Sequence, residues 1–274
     1  MRFVNAGGAE IPALGFGVFR MSGDEIETVV PVALEAGFRH FDTAQIYGNE
    51  AALGRVLADS GMQRSDLFLT TKVWVENYSA ERFLASVDES LENLKTDRVD
   101  LLLAHWPGNS VPVAEQIAWL NAVQASGRAR FIGVSNYNNH QLREAIDTSD
   151  APIVTNQIEK HPYLDQSAMH ALATETGMAL TAYYSMADGA VARDVRLKKI
   201  GQKYGKSAAQ VGLRWLIQNG WIALSKTARP ERVAENFNIF DFTLSELDMA
   251  EIATFARPDG RLVNPDGLTP DWTA

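Results

Sequence analysis

The chain has 274 residues and not one cysteine. That excludes disulfides, thiolate nucleophiles and cysteine-ligated metals, and nothing asks for an oxidising compartment. No apolar run approaches the ~18 residues of a membrane-crossing helix. The first ten residues, M-R-F-V-N-A-G-G-A-E, lack the apolar core of a secretory signal, so a cytoplasmic setting is expected. Runs of basic residues are missing too. With 25 Lys and Arg against 34 Asp and Glu the net charge is −9, a poor match for nucleic acid or an anionic membrane. Two further absences bear on chemistry. No His, Asp and Glu set falls at obvious metal spacing, and no serine carries an activated-nucleophile pattern. Gly15-Phe16-Gly17 is followed neither by a third glycine nor by a helix start at the dinucleotide-fingerprint offset. It reads instead as a strand end where backbones approach closely.

What is present is a regular alternation. Short apolar runs predict strands near Leu14–Phe19, Phe38–Asp42, Leu67–Val73, Val99–His105, Phe131–Ser135, Ile153–Gln157, Met178–Tyr183 and Ile222–Ser225. Helical spacing lies between them, as at Asp24–Ala36, Glu50–Ser60, Ala80–Leu94 and Val113–Ala125. Ser22 with Glu25, Ser207 with Gln210 and Thr243 with Glu246 each fit a capping box, and Pro31 predicts a kink in the first helix. Strands such as Val99–Leu103 are apolar on both faces, as buried parallel strands are. Eight strand–helix units without a linker predict one domain over residues 1–274, closed as a (β/α)8 TIM barrel; an open doubly wound sheet is the alternative. Phe3–Asn5 and Ile11, around Ala6-Gly7-Gly8, predict a hairpin over the barrel's bottom. Arg257 to Ala274 reads as a short tail over its top. No long exposed apolar patch is visible, so a monomer is expected.

In such a barrel the chemistry gathers at the C-terminal strand ends. Here the ends of the second to eighth predicted strands are polar: Asp42, Lys72, His105, Ser135 with Asn136, Gln157, Tyr183 and Lys226. Any one of them alone is more often a satisfied polar group than a functional one. Eight converging on one mouth point to a site, because burial without partners costs each of them. Tyr47 stands on the loop after Asp42, in the stretch F-D-T-A-Q-I-Y-G-N-E over 41–50. Lys72 beside the Tyr47 phenol is expected to lower its pKa, with Asp42 holding Lys72 and His105 polarising a carbonyl oxygen at the same spot. A phenol tuned in this way suits general-acid protonation of a carbonyl as it becomes an alkoxide. The matching hydride implies a nicotinamide cofactor. Ser135, Asn136 and Gln157 suit its carboxamide, and Tyr183 suits stacking on a flat ring. Lys226, Thr227, Arg229 and Arg232, with Pro230 placed for the first turn of a helix, form a cationic cluster suited to phosphate. A solvated helix start is the bland alternative.

These residues sit in motifs that resemble the aldo-keto reductases: F-D-T-A-x-x-Y-G-N-E (41–50), T-K-V-W (71–74), D-L-L-L-x-H-W-P (100–107), I-G-V-S-N (132–136), N-Q-I-E-x-H-P-Y-L (156–164) and K-T-x-x-x-x-R-x-x-E-N (226–236). They span nearly the whole chain in order. The resemblance implies a (β/α)8 barrel and NADPH-dependent carbonyl reduction. It implies a catalytic set of Tyr47 as proton donor with Asp42, Lys72 and His105. Ser135, Asn136 and Gln157 match carboxamide binders and Tyr183 the nicotinamide stacker. Lys226, Thr227 and Arg232 match a 2′-phosphate site, and Glu235 and Asn236 the adenine contacts. Within the family the likeness is to the short bacterial branch of 2,5-diketo-D-gluconate reductase B and methylglyoxal reductase, through D-T-A-Q-I-Y-x-N-E-A-A and a terminal R-L-V-x-P-x-G-L-x-P-x-W.

The chain departs from the family pattern in places. Tyr184 to Gly189, Y-S-M-A-D-G, replaces the common S-P-L-G of the pyrophosphate clasp and makes Tyr184 a rival stacker, and Val18 replaces a common threonine. The tail is shorter than in eukaryotic members, implying an open pocket. Phe19, Trp74 and Trp106 are candidates for the substrate-pocket wall, with plain barrel packing as the alternative. Glu159 and His161 match the family without an assigned chemistry. The leading expectation is an NADPH-dependent reductase of small aldehydes, ketoaldehydes or keto sugars, with a small-molecule carbonyl as partner and no metal. The alternatives are a slow-turnover NADPH-binding sensor or accessory subunit and, more remotely, a metal-dependent barrel hydrolase using Asp42 and His105.

Overall fold

The eight apolar runs become eight parallel strands that close on themselves. In a computed structural model describing residues 2–108 and 110–273, an antiparallel pair, β1 (Phe3–Ala6) and β2 (Ala9–Pro12), precedes the barrel. The barrel strands are β3 (Leu14–Gly17), β4 (His40–Asp42), β5 (Phe68–Val73), β6 (Val99–Ala104), β7 (Ala129–Ser135), β8 (Ile153–Glu159), β9 (Ala179–Tyr183) and β10 (Ile222–Ser225). They pair in chain order, and β10 pairs with both β9 and β3 to complete the circle. Around them lie α1 (Gly23–Ala36), α2 (Glu50–Asp59), α3 (Phe83–Asn93), α4 (Val113–Ala125), α5 (Asn139–Thr148), α6 (Ser167–Thr176), α7 (Ala190–Arg193), α8 (Val195–Gln202), α9 (Ala208–Gln218), α10 (Val233–Phe237) and α11 (Glu246–Ala253). The fold is the (β/α)8 barrel, not the open sheet. No helix among the described residues is long and apolar enough to cross a membrane.

Side-chain parity explains why the strand ends converge. One ring of residues meets inside the barrel. His40 Nε2 lies 3.1 Å from Thr70 Oγ1, and Thr155 Oγ1 lies 2.9 Å from Thr181 Oγ1. A Cβ added at Gly15 would meet Leu224 and His40, and one at Gly133 would meet Leu103 and Thr155. Side chains on a strand alternate with period two, so advancing each member of this ring by two residues gives the next interior level. That level is Gly17, Asp42, Lys72, His105, Ser135, Gln157 and Tyr183; Lys226, in the same phase just past β10, is exposed. The mouth's chemistry is thus set by the register of the core beneath it. The close approach expected at the G-F-G strand end occurs at Gly15, where a Cβ would come within 2.8 Å of the His40 ring.

The hairpin plugs the opposite end. Ala6, Ala9 and Ile11 cluster with Phe68, Leu101, Val154, Ala179 and Ile222 in the lower interior. Gly7, at φ +53°, turns the hairpin where a side chain would meet Pro152. The second core lies between strands and helices. There Phe16 packs edge-on to Phe38 at 5.3 Å, and α1 buries Ile26, Val29, Val30, Ala33 and Leu34.

Several local expectations shift. The Ser22–Glu25 and Ser207–Gln210 capping boxes form, and Asn138 with Gln141 adds a third. Thr243 does not cap α11. Its hydroxyl accepts from Arg214 Nη2 at 3.1 Å, and Ser245 caps instead through the Asp248 amide. Pro31 lies inside α1 without ending it. The helix expected over Ala80–Leu94 starts only at Phe83, and β3 stops at Gly17 rather than Phe19. Of the tail expected over Arg257–Ala274, Ala274 lies outside the described residues. The rest carries no helix or strand and crosses the top of the barrel. There Leu262 N and Val263 N donate to the two Glu159 oxygens at 2.8 and 2.9 Å, and Asn138 Nδ2 donates to Asp271 O at 2.8 Å.

Candidate active site

Lys72 organises one side of the mouth. It is fully buried, and its Nζ donates to Asp42 Oδ1 at 2.6 Å and to Thr43 O at 2.8 Å, with Tyr47 OH at 3.5 Å. Asp42 uses its other oxygen to accept from Gln157 Nε2 at 2.8 Å. Burial lowers the Lys72 pKa while Asp42 pulls it back up, so the pair is held as an ion pair that neither member can leave cheaply. Tyr47 closes the short 3₁₀ turn Gln45–Tyr47 after β4, with Gly48 at φ +66° releasing the chain into α2. Its ring packs 4.9 Å from Phe19 and 5.7 Å from His105. The rings of Trp74 and His105 meet edge-on at 5.2 Å.

The electrostatics correct one expectation. Burial raises the Tyr47 phenol well above its ordinary value, and the Asp42 carboxylate raises it further. Lys72, paired with Asp42 and 3.5 Å from the phenol oxygen, does not outweigh these two effects in this state. The phenol therefore keeps its proton throughout the neutral range. Burial, and then the Lys72 charge, push the His105 imidazole well below its ordinary value, so His105 is neutral. Its Nδ1 is buried without a hydrogen-bond partner among the described residues. A neutral imidazole and a protonated phenol thus face the same small volume.

The neighbouring strand ends carry the amides. Ser135 Oγ donates to Gln157 O at 2.8 Å. Asn136, at φ +64°, places its Nδ2 3.0 Å from both His105 O and Ser135 Oγ. Tyr183 OH donates to Asn136 Oδ1 at 2.6 Å, so the ring expected to stack on a ligand also occupies an acceptor expected to bind one. Tyr184 stands perpendicular to it at 6.2 Å. The segment that replaces the clasp folds as a tight turn with Tyr184, Ala187 and Asp188 all left-handed. An exposed Arg20–Asp188 contact of 4.0 Å bridges this turn to the loop carrying Phe19, and is too solvated to hold it firmly.

The cationic cluster lies past β10. Lys226, Arg229 and Arg232 are exposed, and none has an ion-pair partner among the described residues, although the chain is acidic. Thr227 is buried, and its Oγ1 accepts from Arg229 N at 3.1 Å. Pro230 opens the short turn leading to α10, where Asn236 is buried and Glu235 half-buried. Three unpaired cations within seven residues fit a phosphate, and the Ser135, Asn136 and Gln157 set fits a carboxamide. The residues present therefore fit a nicotinamide dinucleotide phosphate.

Residues 13–257 match the sequence model of the aldo/keto reductase family. The chain belongs to that family. Among curated relatives, methylglyoxal reductase DkgB of Escherichia coli O157:H7 is 39% identical over 265 residues, covering 96% of this chain and 99% of its own. Glyoxal reductase of Bacillus subtilis is 38% identical over 264 residues, covering 95% of each. A crystal structure named as a candidate 2,5-diketo-D-gluconic acid reductase B superimposes with a TM-score of 0.98 at 57% identity, over 100% of this chain and 98% of that one. This aldo-keto reductase is an oxidoreductase acting on carbonyl groups.

The structure brings Asp42, Tyr47, Lys72, His105, Phe19 and Trp74 together around one volume, with Ser135, Asn136, Gln157 and Tyr183 adjoining. Trp106 is buried, and its carbonyl accepts from Tyr78 OH at 2.9 Å. Lys226 to Asn236 lie on a separate edge. Sequence reasoning gave Glu159 and His161 no task. Both are fully buried, His161 Nε2 lies 2.9 Å from Glu159 Oε1, and Glu159 anchors the tail. Arg261, on that tail, lies 3.7 Å over the Trp272 ring and has one buried nitrogen without a hydrogen-bond partner among the described residues. It passed unnoticed because only the folded tail brings it to the mouth.

Proposed function

We propose that this aldo-keto reductase is a single barrel domain that uses NADPH to reduce small aldehydes, ketoaldehydes or keto sugars to alcohols, with Tyr47 as general acid. The observation that carries this reading is Lys72 Nζ set between Asp42 Oδ1 at 2.6 Å and Tyr47 OH at 3.5 Å, beside a neutral His105. NADPH supplies a hydride to the carbonyl carbon. Ser135, Asn136 and Gln157 would hold its carboxamide, Tyr183 its ring once released from Asn136, Lys226, Thr227 and Arg232 its 2′-phosphate, and Glu235 and Asn236 its adenine.

This chain's own groups manage the proton. Tyr47 and His105 direct hydrogen bonds at the substrate oxygen and draw charge onto it. As that oxygen becomes an alkoxide, a stronger base than a phenolate, it takes the Tyr47 proton despite the raised phenol pKa. The phenolate left behind sits beside Lys72, whose charge stabilises it until water returns the proton. Phe19 and Trp74 wall the volume and exclude water. The relatives named for methylglyoxal and glyoxal support small dicarbonyl substrates.

The test is NADPH oxidation at 340 nm with methylglyoxal and a panel of aldehydes and keto sugars, with NADH run alongside. Turnover with NADPH and much weaker turnover with NADH is expected. NADPH binding without turnover on any carbonyl would overturn the reading in favour of a sensor. Equal use of NADH would remove the phosphate role from Lys226 and Arg232.

A further inference from the structure

Tyr47 is held in place by a residue that takes no part in the chemistry above. Gln45, two positions earlier in the same turn, is half-buried and makes five side-chain hydrogen bonds. Its Oε1 accepts from Trp74 N and Asn77 Nδ2, both at 2.9 Å. Its Nε2 faces Ser86 O at 3.0 Å, Ser86 Oγ at 3.1 Å and Ser90 Oγ at 3.2 Å, all on α3. The amide's orientation follows from its backbone partners. Trp74 N can only donate and Ser86 O can only accept, so oxygen must face the first and nitrogen the second.

The partners are those that matter to the mouth. Trp74 and Tyr47 each pack edge-on against His105, at 5.2 and 5.7 Å. Ser90 also hydrogen-bonds Glu50, whose Oε1 accepts from Thr71 Oγ1 at 2.5 Å, and Thr71 directly precedes Lys72. One side chain thus ties the turn bearing Tyr47 to the residue walling the pocket, and through α3 to the strand bearing Lys72. Among unbranched side chains of this length, only the amide supplies both an acceptor and a donor. Methionine would leave the Trp74 N–H without a partner, and glutamate would set an oxygen against Ser86 O.

We propose that Gln45 is a positioning residue for the reduction: its amide sets the distance between the Tyr47 phenol and the Trp74 wall, and so between proton donor and bound carbonyl. The proposal rests on the reading of Tyr47 as general acid. A displacement of about 1 Å at a reacting pair can cost up to about a hundredfold in rate.

The experiment compares Gln45→Met and Gln45→Glu with the unaltered chain and with Tyr47→Phe. It reads the single-turnover rate of NADPH oxidation with methylglyoxal, the isotope effect from NADPH deuterated at the transferred position, NADPH affinity by fluorescence, and Tm. In Gln45→Met a single-turnover rate about ten- to a hundredfold lower is expected, with NADPH affinity unchanged. Gln45→Glu keeps the acceptor for Trp74 and Asn77 and should recover part of that rate. If Gln45→Met does not fold, Gln45→Glu alone decides, with a smaller loss expected. A rate and isotope effect within about twofold of the unaltered chain in every folded variant overturns the proposal, whatever happens to Tm. Full activity in Tyr47→Phe would instead remove the reading beneath it, so the two failures are distinguishable.

Discussion

The two sides of the mouth are built differently. On the β4–β6 side the polar groups are matched, His105 Nδ1 excepted among the described residues: Asp42 accepts from Lys72 and Gln157, and Gln45 and Asn49 hold the turn that carries Tyr47. Asn49 donates to Val18 O at 2.9 Å and Met21 O at 3.1 Å, fixing the loop of Phe19 as well. On the β9–β10 side the loops are exposed. Three left-handed residues follow Tyr183, and three cations stand without carboxylates among the described residues. One side is complete before any ligand arrives, as preorganised proton transfer requires. The other leaves its charges unspent, as capture of a phosphate-bearing ligand requires. On the proposed function, rate belongs to one side and cofactor choice to the other, and substitutions should separate along that line.

The largest effect is expected at the finished side. Tyr47→Phe should lower turnover by about 10²–10⁴-fold, the range for a general acid, with little change in NADPH affinity. Equal losses in turnover and affinity would mean that the two sides are not separable. The next effect belongs to the open side. Lys226→Ala with Arg232→Ala should weaken NADPH binding by roughly 150-fold, at roughly 1.5 kcal/mol for each of the two charged hydrogen bonds, and leave NADH binding unchanged. A parallel loss for NADH, read by fluorescence titration, would show these cations acting on something other than the extra phosphate. Glu159→Gln comes third. The carboxylate at the end of β8 accepts from Leu262 N, Val263 N and His161, and an amide cannot serve all three, so about 1–3 kcal/mol of stability should be lost in urea unfolding. An unchanged midpoint would mean that the tail is held elsewhere, through Asp271 and Asn138.

Much of this division could be read from residue order. Each strand end differs from a core residue by two positions, so the apolar runs placed Asp42, Lys72, His105, Ser135, Gln157 and Tyr183 on one face before any coordinates existed. Ile222–Ser225 matched to the residue, with a turn at Asn219 and Gly220 just before it. What failed depended on distant partners. Thr243 looked like a cap until Arg214, 29 residues away in sequence, took its hydroxyl. Gln45 looked like a variable position because its partners on α3 lie 41 and 45 residues on. The sign of the Tyr47 shift was missed for another reason: the sequence shows a lysine and its aspartate near a tyrosine, but not that burial and the aspartate's charge outweigh the lysine at the phenol.

Dryness can be tested on its own, with the smallest effect. Burial lowers the pKa of both His40 and His105. Below about pH 6.5 the unfolded chain binds protons that these two residues refuse in the folded state, so stability must fall as pH falls through that region. Each histidine contributes a slope of up to about 1.4 kcal/mol per pH unit until its own folded pKa is reached. Glu50, raised by burial, takes its proton in the folded state above its ordinary value and so opposes the two histidines in part of this window, which is why the test reads the change made by one substitution. Asp194, held down to about 2 by hydrogen bonds from Arg196 and Tyr163 that outweigh its burial, loses its contribution only as pH falls from its ordinary value towards 2. Lys160, pushed down to about 8 by burial, is protonated in both states below pH 7. Urea unfolding at pH 7, 6 and 5 should therefore show a slope that His105→Gln reduces by about one proton's worth and that Lys226→Ala leaves alone. A slope insensitive to His105→Gln would mean that the imidazole takes its proton in the folded state. Water would then reach the β4–β6 side as freely as the β9–β10 side, and the contrast between a dry, finished half and an open one would be lost.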